Sequence, residues 1–211
     1  MSRREFCCAL AGSLAGAALL PPHLQASLQT SDPNEDLFSF MNRTAGGFNR
    51  VTYRQIIGAA NAFKEGDQIL GVAAADETAR ANARRLLSNT KLGDILKHPL
   101  FEDNLYASLV QNLSPDAVRK SSPMTLGQLK AFLLASPESD IHPILDGLCS
   151  DAIGCVVKLM SDEELSAVGR KIFNPLAGTR IGARGYMGAR IQPNSPTDHP
   201  DEDRKSTRLN S

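Results

Sequence analysis

From Val51 to Gly178 the apolar residues recur at three- and four-residue intervals and nowhere alternate clearly with a period of two, which predicts helices throughout. In "TYRQIIGAANAFK" (52–64), Ile56, Ile57, Ala60 and Phe63 share one helical face, and Glu65-Gly66-Asp67 then breaks the pattern. "DETARANARRLLSN" (76–89) opens on Asp76 and Glu77 and carries Arg84 and Arg85 late, the charge order that complements a helix macrodipole. Ser114-Pro115-Asp116 places a cap residue before a proline suited to the first helical position. Thr125 with Gln128, and Ser161 with Glu164, have the spacing of capping boxes. His98-Pro99 and His142-Pro143 mark helix ends. The pattern predicts about five or six short helices over residues 51–177.

Both flanks differ in texture. Residues 27–50 are polar, contain Gly46-Gly47, and read as a linker. After Pro175, "GTRIGARGYMGARIQPN" (178–194) is too rich in glycine for a helix; it predicts a turn followed by a short strand over Met187–Gln192. At the other end, Ser2-Arg3-Arg4-Glu5-Phe6 precedes an uncharged Ala/Gly-rich run and the small residue Ala26, the order of a twin-arginine export signal over residues 1–26. A membrane-spanning helix is the weaker reading of that run, because a span needs about 20 predominantly apolar residues. Export predicts a periplasmic protein with no membrane span once the signal is removed. Cys7 and Cys8 would leave with the signal, so Cys149 and Cys155 remain as two buried structural thiols rather than a redox or zinc pair.

Charge then narrows the function. Among 211 residues, 23 are Lys or Arg and 23 Asp or Glu, a balance that lacks the basic excess of a nucleic-acid binder. His23, His98, His142 and His199 are scattered, so no metal site is expected. "DIHPILDG" approaches the D-x-H-x-x-G loop of one cobalamin-binding class, but Leu145 stands at the glycine position. Gly182, Gly185 and Gly188 match neither the dinucleotide nor the P-loop spacing, which leaves a phosphate binder as a weak alternative. Asp162, Glu163 and Glu164 fit the first turn of a helix better than an acid/base pair. Arg190 and Gln192, two apart on a strand, face the same side. A guanidinium fork beside a carboxamide can bind a small molecule carrying hydroxyl and amine groups; equally, Arg190 can extend into solvent beside a surface glutamine.

Two segments decide between these readings. "EGDQILGVAAADETARANARRLLSNTKLGDI" (65–95) and "GARIQPN" (188–194) resemble the large subunit of ethanolamine ammonia-lyase, with "LCSDA" (148–152) between them in the same order. The resemblance covers Val51 to Asn194 and implies a mainly α fragment: a helical N-terminal region leading into the first strand of a (β/α)8 TIM barrel that the chain does not complete. It implies adenosylcobalamin, with its cobalt, as cofactor, and radical deamination of ethanolamine to acetaldehyde and ammonia. It also implies a small-subunit partner in a hetero-oligomer. Arg190, Ile191 and Gln192 fall on the family's substrate contact. Arg190 and Gln192 would hydrogen-bond ethanolamine and Ile191 would contribute mainly backbone, while catalytic and cofactor-binding residues remain unassigned within this chain. A barrel needs about 250 residues, and "DRKSTRLNS" has no hydrophobic pattern. The resulting division is a signal (1–26), a linker (27–50), a helical region (51–177), the start of a barrel (178–203) and a non-native tail (204–211), with the chain expected to be inactive alone. The competing reading is a non-catalytic exported helical binding module.

Overall fold

A computed structural model describes residues 19–62, 65–173, 175 and 177–186. Packing divides the chain into a first unit ending at Lys171 and a second beginning at Ile172. The described part of the first unit is helical, as expected. In order it holds α1 (Pro22–Gln29), α2 (Leu37–Ala45), α3 (Arg50–Ala59), α4 (Glu65–Ile69), α5 (Glu77–Asn89) and α6 (Leu92–Lys97). There follow α7 (Asn104–Gln111), α8 (Pro115–Ser121), α9 (Leu126–Ala135), α10 (Glu138–Leu145), α11 (Ser150–Lys158) and α12 (Asp162–Gly169). Among the described residues no helix is long and apolar enough to cross a membrane.

The core is organised around α5. Its Ala79, Ala83, Leu86 and Leu87 are buried at helical spacing on one face. The small alanines in the first half let neighbours approach closely, and the leucines fill the second half. Helices α1, α2, α3, α9 and α11 all pack against α5. They contribute Leu28, Phe40, Met41, Tyr53, Ile56 and Leu129, each fully buried. Burying one such side chain contributes about 1.5–3 kcal/mol. Helix ends are held by side chains: the Asp76 carboxylate accepts from the Ala79 N–H at 2.7 Å, and both predicted capping boxes form.

Several expectations are corrected. Residues 27–50 are not a linker throughout, because they contain α2, whose Leu37, Phe40 and Met41 are buried. The Asp36 carboxylate starts this helix by accepting from the Phe38 and Ser39 N–H groups at 2.7 and 2.9 Å. Gly46 ends it with φ of 72°, a left-handed conformation that glycine adopts without strain. Among the described residues ten helices, rather than five or six, lie between Arg50 and Gly169, since several consist of only one or two turns. The break expected at Glu65-Gly66-Asp67 is itself the start of the single-turn α4. His98 does close α6, but α10 runs through His142-Pro143 to Leu145. The bond lost at Pro143 is the one to the carbonyl of Ser139, which is exposed and can be solvated. Residues 1–18 of the expected signal lie outside the described residues, and Ala26 sits inside α1, between the buried Leu24 and Leu28.

Candidate functional site

Arg190, Ile191 and Gln192 lie outside the described residues, as does the strand expected over Met187–Gln192. The segment just before them is described as a run of turns, as expected. Gly178, Gly182 and Gly185 have φ of 74°, 85° and 81°, so these glycines reverse the chain. The Arg180 guanidinium donates to the Tyr186 hydroxyl at 2.6 Å and lies 5.3 Å from that ring's centre. Backbone bonds from Ala183 to the Arg180 carbonyl and from Tyr186 to the Ala183 carbonyl, both 3.0 Å, complete the turns.

Within the first unit, a polar constellation joins α3 and the N-terminus of α11 through Leu100 in the loop 98–103, with α7 tied to α6 beside it. Arg54 Nε donates to the Leu100 carbonyl at 2.9 Å, and the Asp151 carboxylate accepts from the Leu100 N–H at 2.8 Å. The Arg54 guanidinium lies 4.4 Å from the centre of the Phe101 ring. Burial, then the neighbouring Arg50, lowers the Arg54 pKa from its ordinary value. Tyr106 donates to the Leu96 carbonyl at 3.0 Å. Sequence reasoning missed this network, because the Asp151 carboxylate reaches the backbone of Leu100, 51 positions away, which leaves no sequence signal.

Beneath it lie two free, buried thiols. Burial pushes the Cys155 thiol up to about 12, and Cys149 is raised by the same cause despite hydrogen bonds from the start of α11. Both stay protonated near neutral pH and are poor nucleophiles. The Tyr53 hydroxyl is buried with no hydrogen-bond partner among the described residues, and burial raises its pKa. Together these groups can fix three helices and a loop, and they supply no activated nucleophile or base.

The remaining candidates are structural. His98 lies with its ring 4.7 Å from those of Phe38 and Phe48, and its Nδ1 is 2.9 Å from the Asp94 carbonyl. His142 pairs with Glu138 on the surface of α10. Glu164 reaches back to the Ser161 N–H at 2.8 Å and pairs with Lys130, which holds its carboxyl below the usual carboxylate range. Asp162, Glu163 and Glu164 thus form a helix start, as expected. Among the described residues no three His, Cys, Asp or Glu side chains gather in a way that could hold a metal ion.

One surface feature stands out. Helix α7 buries none of its residues and exposes Leu105 and Leu109, one turn apart. With Phe101, Tyr106, Ser150 and Asp151 they line a groove of about 220 Å3.

Comparison with known proteins bears on the whole span. Residues 48–208 match the family described as Ethanolamine ammonia lyase large subunit. The chain is 30% identical over 153 residues to the ethanolamine ammonia-lyase large subunit of Escherichia coli (strain K12), covering 69% of this chain and 33% of that protein. It is 29% identical over 153 residues to the corresponding subunit of Salmonella typhimurium (strain LT2), with the same coverage. The chain therefore spans about a third of the length of these relatives.

Proposed function

Because this chain belongs to the ethanolamine ammonia-lyase large-subunit family, we propose that it supplies the helical lead-in and first barrel strand of an enzyme releasing ammonia from ethanolamine. The observation that carries this reading is the extent of the family match. It runs from residue 48 to residue 208, across α3 to α12 and through Arg190, Ile191 and Gln192.

On this reading Arg190 and Gln192 present their side chains from one face of a strand near Met187–Gln192. The Arg190 guanidinium donates to the substrate's hydroxyl oxygen, and the Gln192 carboxamide oxygen accepts from its amino group. Ile191, between them, contributes backbone. The positive φ of Gly178, Gly182 and Gly185 supports a turn ahead of the strand proposed here.

Membership implies adenosylcobalamin, whose chemistry is the generation of a radical from its cobalt–carbon bond. The groove lined by Leu105, Leu109 and Phe101, at about 220 Å3, is small for a corrinoid. On this reading the part of the helices is to support a barrel. A small subunit is the expected partner, and the exposed apolar side chains of α7 and α11 (Leu105, Leu109, Ile153 and Val157) support burial against further protein. The order Ser2-Arg3-Arg4-Glu5-Phe6 supports export by the twin-arginine route to the periplasm.

The test is acetaldehyde formation from ethanolamine by a large subunit carrying this sequence, assembled with a small subunit and adenosylcobalamin. The 211-residue chain by itself is expected to form none. No turnover by the complete assembly would defeat the reading.

A further inference from the structure

The residues before the family match are built into the same core as those within it. The match begins at residue 48, yet Leu20, Leu24 and Leu28 are 1%, 3% and 0% exposed. Helix α1 carries Leu24 and Leu28 onto α5, the central helix of the unit. Upstream of α1 the backbone is also tied in: the Leu20 N–H donates to the Ala73 carbonyl at 3.1 Å, and Leu19 forms a parallel bridge with Ala73. Gln25 closes the turn by donating to the Leu20 carbonyl. Downstream, the Arg85 guanidinium on α5 donates to both the carbonyl and the hydroxyl of Ser31, at 3.1 and 2.6 Å. Leu19–Ser31 is thus fastened at both ends and packed in the middle.

A leader removed at Ala26 would take Leu20 and Leu24 with it and cut α1 in half. That would open a cavity against α5 and leave the Ala73 carbonyl without its partner. The sequence offers a different boundary. After Ser2-Arg3-Arg4-Glu5 an uncharged run extends to Pro22; its opening stretch, Phe6–Leu14, is nine residues long, within the usual length of an apolar signal region. That stretch is followed at once by Ala15-Gly16-Ala17, the small-x-small pattern of a leader-peptidase site.

We infer that Leu19–Ser31 is retained in the mature protein as the cover of α5, and that the leader is removed by hydrolysis of the Ala17–Ala18 peptide bond. Water supplies the hydroxyl of the new Ala17 carboxyl group and the proton of the new Ala18 amine. This rests on the export reading above, and the two can fail separately.

The test begins with the full chain produced in a bacterium with an active twin-arginine pathway, followed by intact-mass measurement of the exported protein. An N-terminus at Ala18 is the expected result. An N-terminus at Ser27 would overturn the inference and leave export standing, whereas unprocessed protein confined to the cytoplasm would overturn both. A second measurement compares the thermal midpoints of chains beginning at Ala18 and at Ser27. The first should match the full chain, and the second should fall by about 10 °C from the loss of two buried leucines. Equal midpoints would show that Leu20 and Leu24 do not matter to the fold and would overturn the inference.

Discussion

The hydroxyl of Thr90 joins the end of α5 to the start of α2: it accepts from the Leu37 N–H at 3.1 Å while donating to the Leu86 carbonyl at 2.7 Å. Its own carbonyl accepts from the Leu126 N–H at 2.9 Å, so one fully buried residue anchors the starts of α2 and α9. Thr90→Val keeps the shape and removes the hydroxyl, stranding the buried Leu37 N–H. A loss of about 1–3 kcal/mol is expected in urea unfolding. A variant as stable as the parent would show that the Leu37 N–H finds another partner.

Gly147 lies against the backbone of α8. A Cβ placed on it would sit 2.4 Å from the Ala117 carbonyl carbon and 2.5 Å from the Val118 nitrogen. Neither atom can move without shifting α8, whose cap Ser114 is held by the Asp146 carbonyl through a 2.9 Å bond. Gly147→Ala should therefore cost about 1–3 kcal/mol by overpacking, read as a lowered thermal midpoint. Gly154, with open space around it, should accept alanine without penalty and serves as the control.

Burial raises the thiols of Cys149 and Cys155 and the phenols of Tyr53 and Tyr106 above their ordinary values. A group raised on folding contributes stability that is complete below its unfolded pKa and is lost as pH rises toward the folded one. For Cys155 that window runs from its ordinary 9.0 to about 12. The thermal midpoint should fall as pH rises above about 9, and Cys155→Ala should make that fall shallower. Identical pH dependences for the two proteins would contradict the protonated-thiol assignment.

The helical class, the capping boxes at Thr125 and Ser161 and a helix opening at Asp76 were legible because each depends on residues a few positions apart. The partition of 27–50 was not. Its apolar residues Leu37, Phe40 and Met41 cover a single face of a nine-residue helix, and the surrounding polar residues mask them. Nor could spacing reveal the contact of Arg54 with Leu100, or that of Arg85 with Ser31, both between residues more than 40 positions apart. Late arginines on α5 looked like macrodipole partners. Instead Arg84 donates to the Ala60 carbonyl and Arg85 to Ser31, tying α5 to its neighbours. The proposed site lay at the opposite extreme. Arg190 and Gln192 rest on the family's motif, since their same-face spacing alone fits a solvent-exposed pair as well and no helix packed before them bears on their role.

The central claim is that Arg190 holds the substrate of an ammonia-releasing enzyme. Its most direct test is the kcat/KM for acetaldehyde formation from ethanolamine, measured on a large subunit carrying this sequence, with small subunit and adenosylcobalamin, beside its Arg190→Ala variant. Loss of a charge-assisted hydrogen bond worth about 1.5–3 kcal/mol predicts a fall of roughly ten- to a hundredfold or more. Unchanged kcat/KM in a properly assembled Arg190→Ala enzyme would contradict the account.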